Sequence, residues 1–202
     1  MRRLRYLLLI ALLVLLPANV HAAIELYSLD YDVYLNPSGD ADVKIRWHSY
    51  QDDTGTENYI PISNLGGSEM TNFKVSEEGM TYRENTDWDI DRSREEKTGE
   101  YGLIPKSDGV ELAWGLGEPG EHEYLVEYTI TEIVKNLDDA QMLFWQFVNH
   151  DLSNPPGEVS LFIHADEPIT PEDARIWAFG YTGRIEFEDG GIRATTSAPM
   201  RC

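Results

Sequence analysis

The chain has little cysteine and little positive charge. One Cys in 202 residues argues against an intrachain disulfide framework and against a Cys-rich zinc site. Lys and Arg number 16 against 36 Asp and Glu, a formal net charge of −20. Phosphate binding needs clustered Lys and Arg, so the balance argues against a nucleic-acid binder. It argues equally against attraction to anionic lipid headgroups. Long amphipathic helical patterns, fixed-period repeats and low-complexity stretches are missing too. What is there is a folded composition, 42% hydrophobic and 11% aromatic, over a length that suits one domain.

No hydrophobic run is long enough to span a bilayer, which takes roughly 20 residues. Leu7 to Leu16 is apolar throughout, follows Arg2, Arg3 and Arg5, and ends at Pro17. Val20-His21-Ala22 then offers small residues where a signal peptidase reads, with cleavage before Ala23. This is the pattern of a secretory signal peptide over residues 1–22. Removal of its three Arg leaves 13 bases and 36 acids, or −23 over residues 23–202. Export places the domain in an extracellular or cell-envelope compartment where disulfides are permitted. The mature chain keeps only Cys202.

The mature sequence is dominated by a period of two, as in half-buried strands. Tyr27, Leu29, Tyr31, Val33 and Leu35 alternate with polar residues, Asn36 to Asp40 turns the chain, and Ala41, Val43, Ile45 and Trp47 alternate again. This predicts a hairpin with one apolar face. Further strands are expected at 59–62, 70–75, 80–83, 101–105, 110–114, 124–130, 159–163, 175–179, 184–188 and 192–196. Met142 to Val148 is a continuous apolar run that period cannot assign to strand or helix. Thr170-Pro171-Glu172-Asp173 carries the N-cap and first-turn Pro of a short helix. Glu84 to Glu100 holds seven acids and three bases and reads as a long charged loop. The fold class expected is all-β, an immunoglobulin-like antiparallel β-sandwich with that loop and at most one short helix; a barrel is the alternative.

Four stretches resemble one family in order and spacing. They are Leu29-Asp30-Tyr31-Asp32-Val33-Tyr34 through Val43, Tyr59-Ile60-Pro61-Ile62, Glu123 to Ile130, and the block Leu137-Asp138-Asp139-Ala140-Gln141-Met142-Leu143-Phe144-Trp145. The chain resembles the bacterial domain-of-unknown-function 2207 family of predicted membrane proteins over most of residues 24–197. It departs at Gln146, where members commonly have Gly, and at Asp166-Glu167-Pro168. The resemblance implies an exported domain that other members follow with further strands and a transmembrane helix. It carries no catalytic residues to transfer. Residues 23–202 are therefore read as one domain, whole or cut short at its C-terminal end. Membrane association would come through a segment absent from this chain.

Candidate sites are few. Asp87, Asp89 and Asp91 have the opening spacing of a calcium loop, whose hard oxygen ligands suit Ca²⁺. Arg92 stands where that loop needs Gly and Thr98 where it needs Glu, so a solvated acidic loop is the competing reading. Trp88, set among those acids, would either stack on a sugar ring or fold back onto the sandwich. Trp47, Trp114 and Trp145 sit in phase with apolar neighbours and read as core. Asp138 and Asp139 read as a local cap, and Asn36 to Asp42 as a turn. His150, Asp151 and Ser153 are too close in sequence to assemble a triad. No Gly-x-Ser-x-Gly elbow, His-x-x-x-His pair or phosphate loop occurs, so no catalytic residue, cofactor or enzyme class is assigned. The reading is a noncatalytic exported module whose partner is an envelope protein or a glycan. The alternative is a carbohydrate- or Ca²⁺-dependent ligand-binding domain.

Overall fold

A computed structural model describes residues 24–149, 152, 154–179 and 182–196. The leader, Cys202 and the group His150, Asp151 and Ser153 lie outside the described residues. The strands are β1 (Ile24–Leu35), β2 (Ala41–Gln51), β3 (Glu57–Ser63), β4 (Met70–Glu77), β5 (Met80–Thr81), β6 (Arg83–Glu84) and β7 (Glu100–Pro105). They continue with β8 (Gly109–Gly115), β9 (Gly120–Ile130), β10 (Val134–Asn136), β11 (Gln141–Leu143), β12 (Glu158–Ala165), β13 (Arg184–Glu188) and β14 (Gly191–Thr196). One short helix, α1 (Arg94–Lys97), lies between β6 and β7.

The opening hairpin forms as its alternation predicts. Leu35 pairs with Ala41, Val33 with Val43 and Tyr31 with Ile45. Asn36 Oδ1 accepts from the backbone N–H of Ser38 and of Asp40, which closes the turn. Asp40 then accepts from the Glu132 N–H, tying the turn to the end of β9. That bond and the Ser38 hydroxyl hold its carboxyl below the usual range. The alternation slips once. A bulge between Leu26 and Ser28 turns Leu26 inward and leaves Tyr27 half-exposed, an extra residue on one strand of the pair. Gly157 donates to the Leu26 carbonyl there. A Cβ on Gly157 would stand 2.8 Å from the Tyr27 carbonyl oxygen, so only glycine fits beside the bulge.

Two open sheets face each other. The larger has the order β13-β14-β12-β1-β2-β9-β4-β5, the smaller β3-β8-β7-β6, and β10-β11 forms a separate two-stranded ribbon. Their inner faces share one core. The Trp47 and Trp114 rings meet edge-on across it at 5.1 Å, and Phe73 meets Tyr101 at the same distance, geometries that aromatic quadrupoles favour. The outer face of the larger sheet is charged. Asp32 lies beside Lys44, Lys44 beside Glu127 and Glu127 beside Lys74.

The expectation of a wholly antiparallel immunoglobulin-like sandwich is corrected. β12 joins the sheet parallel to β1, and β6 pairs parallel to β7, so the architecture is mainly β with a mixed eight-stranded sheet. A period of two is the same for either strand direction, so alternation alone is blind to this. Three local expectations also change. Residues 175–179 form no strand, and Trp177 and Phe179 are 74% and 81% exposed. Met142 to Val148 is neither a buried strand nor a helix: β11 ends at Leu143, and Trp145 is only half-buried against the core. Thr170 to Ala174 makes a single turn, and the one helix among the described residues lies instead inside the charged loop.

Candidate functional site: the charged loop on the smaller sheet

The loop 85–99 leaves β6 and lies on the outer face of the smaller sheet. Small residues there make room for it. Gly102 on β7 and Ala113 on β8 are paired neighbours. A Cβ on Gly102 would stand 2.5 Å from the Asn85 carbonyl and 3.0 Å from Trp88 Cε3. A Cβ on Gly115 would stand 2.0 Å from the Lys97 carbonyl. Any side chain at either position would push the loop off the sheet.

Inside the loop, Ser93 and Glu96 form a reciprocal capping box that starts α1. One turn of helix then aims Lys97 into the interior. Its side chain is fully removed from solvent. The ammonium donates to Thr56 Oγ1 at 3.0 Å and to the Ile90 carbonyl at 2.7 Å, and it meets Glu57 Oε2 at 2.9 Å. All three N–H donors of the lysine therefore have partners, the condition under which a buried cation is tolerated. Glu57 Oε2 also accepts from Trp88 Nε1 at 2.8 Å. The Trp88 ring lies half-buried between Gly102 and the Lys97 ammonium, which stands 6.0 Å from its centroid.

A second cluster sits beside it. Glu100, at the start of β7, is buried and accepts from Asn85 Nδ2 and Arg92 Nη1, each at 2.8 Å, and from Arg83 Nη2. Burial pushes its carboxyl up, but the three hydrogen bonds outweigh it and hold it at about 2. Asp87, Asp89 and Asp91 are exposed on the loop rim. Asp89 Oδ1 accepts from the Asp91 N–H, and Asn85 Oδ1 from the Asp87 N–H. Among the described residues, no three His, Cys, Asp or Glu side chains come together in a way that could hold a metal.

Two other places bear on function. Glu77 accepts from the Tyr82 hydroxyl at 2.6 Å and pairs with His122 Nδ1. Burial, then the Glu77 bond, drives the Tyr82 phenol far up, which makes it a poor acid or nucleophile. A shallow groove of about 380 Å³ runs over β3 and β8 beside Tyr59, Pro61 and Ser63, with the Lys106–Glu111 pair at 2.9 Å on its wall. The sequence singled out Trp88 but not Lys97, Glu57 or Glu100. The capping pattern Ser93-x-x-Glu96 was the signal that a helix, and not plain loop, precedes β7.

The profile of the predicted membrane protein (DUF2207) N-terminal domain matches residues 25–199. The chain belongs to that family. No curated protein matches it. Among solved structures, this DUF2207 domain is similar to a "putative protease" from Parabacteroides distasonis, with 13% identity and a TM-score of 0.45 over 89% of this chain and 36% of that one. It is similar to a two-domain M1 zinc metallopeptidase, with 11% identity and a TM-score of 0.42 over 90% and 40%. It is also similar to an M1 zinc metallopeptidase from Deinococcus radiodurans, with 10% identity and a TM-score of 0.41 over 86% and 38%. The DUF2207 chain thus spans well under half the length of the structures it matches. Among its described residues, no helix is long and apolar enough to cross a membrane.

Proposed function

We propose that this DUF2207 domain is a noncatalytic, exported module of a membrane-associated envelope protein. One observation carries the reading. The two carboxylates beneath the charged loop, partly buried Glu57 and buried Glu100, are taken up by Lys97 and Arg92 of that loop and by Arg83 of β6. The cluster holds the loop in place and leaves neither carboxylate free for acid–base work. Family membership supports the membrane association, and the leader pattern of residues 1–22 supports export.

The experiment is fractionation of cells producing the full chain, with N-terminal sequencing of the product. Recovery in the envelope or outside the cell, starting at Ala23, is the expected result. Retention in the cytosol with an intact leader would overturn the reading. Thermal melts with Ca²⁺ and with chelator, and a glycan array of the wild type and Trp88→Ala, separate it from a ligand-binding domain. A native-state ligand raises the melting point.

A further inference from the structure

The two open sheets present edge strands that are not alike. β5 ends the larger sheet on one side and β13 on the other, while β3 and β6 end the smaller one. An edge offers unpaired N–H and C=O groups to any other strand, and proteins blunt it with short length, proline, lysine, bulges or inward-pointing charge. β5 and β6 have two residues each. β3 contains Pro61, whose carbonyl accepts from Asn149 Nδ2 at 2.9 Å. β13 has none of these devices. Arg184-Ile185-Glu186-Phe187-Glu188 pairs with β14 in unbroken register and holds no proline or lysine. Ile185 and Phe187 continue the inner-face rows of Leu161 with Ala194 and Ile163 with Ile192.

The hairpin geometry says which backbone groups β13 leaves over. Asp189 and Gly190, at φ 50° and 73°, form the two-residue turn into β14. Residues flanking such a turn bond each other, and every second residue repeats this. Glu188, Glu186 and Arg184 thus aim their backbone groups at Gly191, Arg193 and Thr195. The N–H and C=O of Ile185 and Phe187 aim the other way, where no further strand lies among the described residues.

A second β13, antiparallel about a two-fold axis at Glu186, meets these groups. Ile185 of each copy then faces Phe187 of the other, and the two exchange N–H···O bonds in both directions. On the inner face an aliphatic branch packs on an aromatic ring, a favourable cross-strand pair. On the outer face Arg184 of each copy stands opposite Glu188 of the other. Glu186 faces its own copy across the axis, but Arg184 Nη2 of the same chain already stands 2.5 Å from it and Arg193 is its neighbour on β14. Other antiparallel registers do worse. Shifted towards the turn, Glu186 faces Glu188 on both sides of the axis. Shifted the other way, Phe187 faces Gly183, outside the strand, and Glu188 faces nothing charged. Charge also suits this edge to a like chain. β13 and β14 hold Arg184 and Arg193 against Glu186 and Glu188, a local balance in a chain of net −20.

We propose that β13 is a self-association edge, through which two copies of the chain join antiparallel about Glu186 into one continuous sheet. The partner is a second copy of the chain, which the proposed function does not supply and on which it does not depend.

The test is sedimentation equilibrium of the protein purified from cells producing the full chain, from about 10 μM to about 1 mM. The wild type is expected to show a monomer–dimer equilibrium in this range. Ile185→Pro removes an outward N–H and none of the bonds to β14, and should weaken the dimer at least about tenfold. Arg184→Glu and Glu188→Arg each set like charges across the axis and should each weaken it by a similar factor. An equimolar mixture of those two variants sets opposite charges at both contacts and should recover a mixed dimer, which also shows that both variants fold. A wild type that stays monomeric at about 1 mM would overturn the proposal. A dimer that Ile185→Pro leaves intact would assign association to another face and overturn it too. The same holds if Glu188→Arg dimerises as the wild type does, or if the mixture associates no better than either variant alone.

Discussion

Lys97 Nζ lies 2.9 Å from Glu57 Oε2, and the lysine side chain has no solvent exposure at all. The pair joins the loop 85–99 to β3, the edge strand of the smaller sheet. In an acid-rich chain, one of the few cations is spent wholly inside.

Removing one partner of such a pair strands the other charge. Lys97→Met is expected to destabilise the domain by about 3 kcal/mol. Adding Glu57→Gln should restore part of the loss, because the stranded carboxylate is gone. Urea unfolding of both variants measures this. A double variant no more stable than Lys97→Met would show that packing, and not charge, dominates.

An exposed pair on the other sheet supplies the contrast. Lys44 and Glu127 stand 3.4 Å apart with side chains 59% and 34% exposed. Solvent screens them, so Lys44→Ala should cost no more than about 1 kcal/mol. The same urea titration checks it.

Glu100 sets an acid limit. Its carboxyl falls from 4.5 to about 2 in the fold, so the folded state favours the ionised form. That stability is complete above the unfolded value and is lost as pH falls from about 4.5 towards 2. It amounts to about 3 kcal/mol. Glu100→Gln should be less stable at neutral pH and show a shallower decline over this window, read from melting points across a pH series.

Gly102 admits the loop. Gly102→Ala puts a methyl 2.5 Å from the Asn85 carbonyl, against backbone that cannot turn aside. It is expected to cost about 1–3 kcal/mol by overpacking. The loop should also become open to trypsin at Arg92, Arg94 and Lys97. Cleavage there no faster than in wild type would show that the loop docks without this contact.

Strand positions were largely legible in the sequence. The hairpin of β1 and β2, and the clean alternation of β9 from Tyr124 to Ile130, appear where period two placed them. The charged loop was legible as a segment but not as a structure. Lys97 and Glu57 are 40 positions apart, and no local pattern marks one lysine among a loop's charges as the buried one. Trp177 lay in a stretch that reads as a strand, and nothing in sequence says that no neighbouring strand arrives to pair with it.

The sequence by itself determined which segments are extended, which way their side chains alternate and where turns fall, because those depend on neighbours one to four residues away. Tertiary structure decided the rest. It set β12 parallel to β1, brought Ile24 and Thr196 to one end, seated Trp88 on Gly102 and buried Lys97 against Glu57. Each of these turns on contacts between segments distant in the chain, where strand direction, glycine clearance and the desolvation of a charge are settled only once the sheets have assembled.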